Sequence, residues 1–233
     1  MKISIIIPVY NEEKTIEKIF FKILSLKLKK KQIIIVDDCS IDKTRKILNK
    51  KIFLEAEQII FHKKNLGKGA AIRTAQKYVT GDIVIIQDAD LEYNPKDYNK
   101  LIQPIIKKEF NVVYGSRVLG RFRYNAKGFI SLSRVFFNHA LTVISNIINH
   151  QNLTDAHTCY KVFSGKFFKK LTLIENDFAF CPEVTTKISN LGEKIIEVPI
   201  SYIGRSREEG KKIGIYDGFR ALYVLIKYKF FRL

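Results

Sequence analysis

The 233-residue chain is 46% hydrophobic and 27% charged, enough apolar material for one sizeable core and an ordinary folded surface. Its 41 Lys and Arg outnumber 23 Asp and Glu, a net charge of +18 that favours anionic partners: nucleotide phosphates, nucleic acid or acidic lipid headgroups. Cys39, Cys159 and Cys181 lie far apart and in odd number, which argues against a disulfide framework or zinc site and for a reducing compartment.

In chain order, the first apolar run is too short for a leader peptide and no small-residue cleavage site follows it; residues 3–7 read as a buried strand ending at Pro8. Residues 12–26 place Ile16, Ile19, Phe20, Ile23 and Leu24 at helical spacing. A second strand over 32–36 ends at Asp37 and Asp38, and Ser40 is the expected N-cap of a helix over 42–49. A third strand over 58–61 precedes an alanine-rich helix over 67–78, then a fourth strand over 82–87. Pro95 opens a helix expected over 95–107, which Pro104 should kink or shorten, and 111–114 is a fifth strand. Continuous apolar strands alternating with helices imply an α/β fold, a parallel sheet covered on both faces. Ligands of such sheets sit outside the carboxyl ends of the strands, which singles out residues 10–12, 37–38, 62–69 and 88–92.

The second half is less regular. A long apolar helix is expected over 129–149, interrupted by Arg134 and Asn138; a helix over 182–190, a strand over 194–198, a charged loop over 204–214 and a helix over 217–233 follow. Neither repeat nor linker divides the chain, so 1–233 reads as one domain. No run approaches the roughly 18 to 20 uncharged apolar residues that cross a bilayer, so the sequence predicts a protein that is not integral.

Asp88-Ala89-Asp90 follows the apolar strand 83–86. In extended backbone, residues two apart face one side, so two carboxylates would converge as hard ligands for Mg²⁺ or Mn²⁺ and leave positions for substrate phosphates. The bland alternative is a solvated turn, weakened here by the buried strand before it. Asp37 and Asp38 read both ways: one carboxylate caps the next helix while the other reaches a nucleobase or ribose, with Asp38 the one aimed at the site. Gly67-Lys68-Gly69 lacks the spacing of phosphate-binding loops, and on its own is better read as a helix N-terminus.

These segments together resemble the successive motifs of family 2 glycosyltransferases with the GT-A fold. The match runs through Pro8-Val9-Tyr10-Asn11-Glu12, Val36-Asp37-Asp38-Cys39-Ser40, Asn65-Leu66-Gly67-Lys68-Gly69 and Asp88-Ala89-Asp90. Gly115-Ser116-Arg117, Asp155-Ala156-His157-Thr158-Cys159-Tyr160-Lys161, Phe178-Ala179-Phe180-Cys181-Pro182-Glu183 and Val198-Pro199-Ile200-Ser201-Tyr202 extend it toward the dolichol- or polyprenyl-phosphate mannosyl- and glucosyltransferase branch.

The resemblance implies a Rossmann-like, mostly parallel sheet, with 1–115 as the nucleotide-sugar half and 116–233 as the acceptor half. It implies that Pro8, Tyr10, Glu12, Asp38, Lys68 and Asp88 bind a donor such as GDP-mannose or UDP-glucose. Asp88, Asp90 and Glu92 would hold the metal. Arg117, Arg134 and Asn138 would face the phosphate of a polyprenyl acceptor, and Asp90, Arg117 and Arg205 would serve catalysis. Transfer would be inverting, and an ionised phosphate acceptor needs no strong general base. A saccharide or other lipid acceptor is the alternative, and it would need one.

The aromatic and cationic C-terminal helix could lie in the interface of an anionic membrane or pack on the domain. The first case predicts a peripheral protein of the cytoplasmic membrane face, with room for a separate membrane-protein partner. Binding of nucleic acid is not expected, because the cations are spread along the chain and the acidic strand ends repel a phosphate backbone.

Overall fold

The computed structural model describes residues 1–119, 129–204 and 215–231, without the side chains of 129–135 and 215–217. Seven strands form one sheet in the order β3-β2-β1-β4-β6-β5-β7. They are β1 (Ile3–Val9), β2 (Lys31–Asp37), β3 (Gln58–Phe61), β4 (Ile83–Ile86), β5 (Val112–Ser116), β6 (Lys161–Ser164) and β7 (Ile195–Pro199). The helices are α1 (Ile16–Leu24), α2 (Thr44–Leu48), α3 (Lys68–Gln76), α4 (Tyr98–Ile106), α5 (Phe129–Asn149), α6 (Gly165–Lys170), α7 (Phe180–Asn190) and α8 (Ile215–Phe230).

The first four strands are parallel, with β1 paired to both β2 and β4. Crossovers therefore leave β1 in opposite directions, and the crevice at this reversal, outside the carboxyl ends of β1 and β4, is where a ligand fits. Ile5, Ile6 and Ile7 are all fully buried, because helices cover both faces of β1. Helix α1 turns Ile16, Ile19, Phe20 and Ile23 to the core, as their spacing predicts. Its last carbonyls, of Ile23 and Leu24, accept from the Lys31 ammonium, which satisfies groups the helix cannot satisfy itself.

The structure differs from the sequence expectations at Ser40, at the start of α4, and in strand β6 and helix α6. Ser40 is not a helix cap: its hydroxyl accepts from the Asn11 amide, while Asp42 accepts from the Thr44 amide at the start of α2. Pro104 sits inside α4, which ends two residues later, and a tight 3₁₀ turn over Pro95–Asp97 precedes that helix. Strand β6 and helix α6 were not expected. Strand β6 lies antiparallel between β4 and β5, with Ile85 opposite Val162 and Tyr114 opposite Lys161. The carboxyl-terminal half thus enters the sheet.

Candidate active site

The loops after β1 and β2 interlock. Five hydrogen bonds cross between residues 11–13 and 40–44, with Asn11, Glu12 and Glu13 each taking part. Asn11 and Cys39 adopt positive φ (54° and 63°), which lets both chains turn sharply there. Pro8 and Tyr10 are half-buried on this platform; Glu12 is buried and accepts from Thr15 Oγ1 at 2.6 Å.

Asp38 is 3% exposed, and both of its oxygens are used within the protein. Oδ1 accepts from the Leu66 amide and meets His62 Nδ1 at 2.7 Å; Oδ2 accepts from the Gly67 amide. In this structure the Asp38 carboxylate fixes the loop that delivers Lys68. Asp37 is structural, as expected, with Oδ2 2.6 Å from Arg45 Nε.

The glycines flanking Lys68 are required by crowding. Gly67 has φ +97°, and a Cβ there would stand 2.4 Å from the Asn176 carbonyl oxygen; one at Gly69 would stand 2.3 Å from that of Glu175. The Ala70 amide donates to Asn176 and the 66 and 67 amides to Asp38, so these amides of the loop are spent on the protein. As expected for the loop read alone, Gly67 is the N-cap of α3. What the loop presents is the Lys68 side chain, whose Nζ lies 2.6 Å from Asp88 Oδ1 and 3.4 Å from Cys159 Sγ. Burial is the largest single influence and opposes the Lys68 charge, but the charge and hydrogen bond of Asp88, with Cys159 and Cys181 nearby, together hold the ammonium well above its usual range.

Strand β4 ends at Ile86, and the chain turns at Ala89 and Asp90, so strand alternation does not by itself align Asp88 with Asp90. The Glu92 amide donates to Asp90 Oδ1, and Leu91 has φ 65°. Glu92 Oε2 accepts from the Tyr202 hydroxyl. Among the described residues no preformed group of three metal-binding acids, histidines or cysteines occurs. Asp88 and Asp90 are half-buried hard oxygen donors. This donor set fits a divalent ion that takes its other ligands from substrate phosphates.

Arg117 is paired within the chain. Its guanidinium forks onto Asp155, with Nε to Oδ2 at 2.6 Å and Nη2 to Oδ1 at 2.7 Å, and it stacks on Tyr202. The planar fork meant for a phosphate thus meets a carboxylate of its own chain. Glu197 accepts from the Thr154 and Asp155 amides and holds that carboxylate in place. Asn138 is half-buried on α5, and its carbonyl accepts from Thr142. The Arg134 side chain and Arg205 lie outside the described residues.

Several residues that build the site carried no role in the sequence reading. Gln87 is fully buried: Oε1 accepts from the Tyr98 and Tyr160 hydroxyls at 2.8 and 2.6 Å, and Nε2 donates to the Asp88 carbonyl. A glutamine closing an otherwise aliphatic strand is the signal that could have found it. The Cys159 amide donates to Tyr93 Oη, whose ring lies against Tyr160 and Tyr202. Burial, and then the Asp88 charge, push the Cys159 thiol well above its usual range, so it stays protonated and is no nucleophile.

Comparisons with known proteins agree with this geometry. The sequence model of glycosyl transferase family 2 matches residues 4–172. A UDP-N-acetylglucosamine–dolichyl-phosphate N-acetylglucosaminyltransferase of Methanococcus voltae is 32% identical over 97% of this chain and 96% of its own. A dolichol-phosphate mannosyltransferase of Pyrococcus furiosus is 28% identical over 98% of this chain, which spans 65% of that enzyme. Glucosyl-3-phosphoglycerate synthase of Mycobacterium tuberculosis, solved with Mn²⁺ and UDP-glucose, superposes with a TM-score of 0.70 at 18% identity, covering 98% of this chain and 78% of that one, and so shares the fold. With the family pattern covering most of its length and its acidic turn at the mouth of a parallel sheet, this chain belongs to glycosyl transferase family 2 and is a glycosyltransferase.

Proposed function

We propose that the protein transfers a sugar from a nucleotide diphosphate sugar to a polyprenyl phosphate of the dolichyl type. The observation that carries this reading is the Asp88–Asp90 turn and its Lys68 partner at the carboxyl end of β4, in a chain aligned almost end to end with two enzymes named for dolichyl-phosphate acceptors. Those two relatives are named for different sugars, N-acetylglucosamine and mannose, so the donor is put forward as a class.

In this reading Asp88 and Asp90 hold Mg²⁺ or Mn²⁺, which when bound offsets charge on the departing nucleoside diphosphate. The interlocked platform of residues 8–12 and 40–44 receives the nucleotide. Lys68 adds fixed positive charge beside the acids, in a half-buried place where it is weakly screened. Gln87 and the buried tyrosines keep the acidic turn in place, so little reorganisation accompanies transfer. A phosphate monoester acceptor arrives ionised, and its oxygen forms the new bond to the anomeric carbon as the bond to the diphosphate breaks.

The same proposal places the protein peripherally on an anionic membrane. No described helix is long and apolar enough to cross one. Helix α8 exposes Phe219, Tyr223, Ile226 and Phe230, one stripe at helical spacing, and α5, packed beside it, exposes Phe136, Val143 and Ile147. The net charge of +18 favours acidic headgroups, and three free cysteines suit the reducing cytoplasmic side.

Radiolabelled UDP-glucose, UDP-N-acetylglucosamine and GDP-mannose, each offered with polyprenyl phosphate or with saccharide acceptors, test the chemistry. Label should enter the polyprenyl phosphate from one donor, only with a divalent ion present. Transfer confined to a saccharide acceptor would refute the acceptor assignment. Flotation with anionic vesicles tests the surface, and the absence of salt-sensitive binding would remove it.

A further inference from the structure

Family 2 chemistry as proposed above needs a metal at Asp88, yet the chain already places a cation of its own there. Lys68 Nζ is 2.6 Å from Asp88 Oδ1, and the two side chains are 16% and 19% exposed. The lysine stands on the first residue of α3, and its backbone cannot drift. Gly67 and Gly69 press on the carbonyls of Asn176 and Glu175, and the Gly67 amide is held by the Asp38 carboxylate. A divalent ion ligated by the same oxygen would sit about 2.1 Å from it. An ammonium at 2.6 Å and a metal at that distance crowd one carboxylate with like charge, so one must yield.

We propose that Lys68 is a tethered counter-cation that holds Asp88 until a metal–nucleoside diphosphate complex arrives, and that it then turns from the carboxylate to the diphosphate. The consequence is selection: the bare ion must displace a paired lysine without compensation, whereas the complex brings phosphate oxygens that take the ammonium as partner. Among the described residues no group of three metal-binding side chains is preformed at Asp88 and Asp90, and an ion that draws on the diphosphate to complete its shell works in the same direction. Lys68 here is a positioning residue that orders binding, and the inference rests on the metal reading of Asp88 and Asp90.

The test is Mn²⁺ titration of the full chain, followed by the spin-resonance signal of the free ion, alone and with UDP or GDP. Wild type should bind bare Mn²⁺ weakly and bind it at least about tenfold more tightly with the diphosphate. Lys68→Gln should bind bare Mn²⁺ about tenfold more tightly than wild type and lose most of the gain from the diphosphate. Lys68→Arg, which keeps the charge, should behave like wild type. Lys68→Met gives the same reading should the Gln variant fail to fold. Unchanged or weaker bare-ion binding in a folded Lys68→Gln or Lys68→Met protein would overturn the inference while leaving the metal site standing. No Mn²⁺ binding by wild type with either diphosphate would overturn the metal reading and this inference with it.

Discussion

Replacing Gln87 by Leu tests whether the acidic turn depends on the buried polar knot beneath it. The side chain is fully buried, its carbonyl serves two tyrosine hydroxyls, and its amide holds the Asp88 carbonyl. Tyr98 and Tyr160 are themselves fully buried, and burial pushes both phenols well above their usual range, so each keeps a proton that needs an acceptor. Leu is close in volume but accepts nothing. Each stranded hydroxyl costs about 1–3 kcal/mol, so the variant should lose roughly 3–4 kcal/mol of stability, a large part of a domain's margin. Urea unfolding at neutral pH measures it, and the midpoint should fall without a change in slope. Removing the tyrosine hydroxyls as well should restore most of the loss, because an unneeded acceptor costs little to delete. If Gln87→Leu lies within about 1 kcal/mol of wild type, or if the Gln87→Leu/Tyr98→Phe/Tyr160→Phe triple variant is no more stable than the single, the knot does not support the site.

Asp90→Asn should keep the fold and cut sugar transfer by roughly 100-fold or more, the scale of losing one preorganised electrostatic contact; near-normal turnover would remove Asp90 from the site. Gly69→Ala forces its methyl toward the Glu175 carbonyl and the two segments about 1 Å apart, which should cost about 1–3 kcal/mol in a urea melt and lower transfer through Lys68; an unperturbed melt would show that the contact yields freely. His157 is held down to about 4, by burial first and then by Lys161 and Arg117, with Asp155 opposing. The unfolded chain takes up this proton near 6.5 and the folded chain does not until about 4, so stability falls as pH drops through that window, by roughly 3 kcal/mol at most. His157→Gln should flatten this part of the stability profile between pH 7 and pH 4.5, and curves that stay parallel would contradict the assignment.

The amino-terminal strands and helices were legible because each is local: apolar runs bounded by turn residues, and helices with one clear apolar face. The mouth residues after β1 and β4 followed from topology alone. What could not be read was which acids face one another and which face ligand. Asp37 and Asp38 are neighbours in sequence, yet Asp37 meets the Ser40 amide and Arg45, 3 and 8 positions on, while Asp38 meets His62 and the Gly67 amide, 24 and 29 positions on. Arg117 looked free because its counter-charge, Asp155, is 38 residues distant. Glu92 fits a third-ligand spacing, and its hydrogen bond from Tyr202, 110 residues on, is not legible there.

The missed strand β6 has the largest consequence for the site. A parallel strand in its place would send its leading loop to the far edge of the sheet. Because β6 runs antiparallel, its first residue, Lys161, pairs with Tyr114 near the end of β5 and lies next to the end of β4. The preceding segment, Asp155 to Tyr160, is thereby delivered to the mouth, where Asp155 meets Arg117, Cys159 meets Lys68 and Tyr160 meets Gln87. Lys161 anchors that segment: it is fully buried, donates to the Ala156 and Thr158 carbonyls at 3.0 and 2.7 Å, and lies over the Tyr114 ring. Burial lowers its affinity for a proton, and two carbonyls and a ring face are what the structure offers the charge in return. The reversal of one four-residue strand therefore closes the site from the carboxyl-terminal half and brings Asp155 to Arg117.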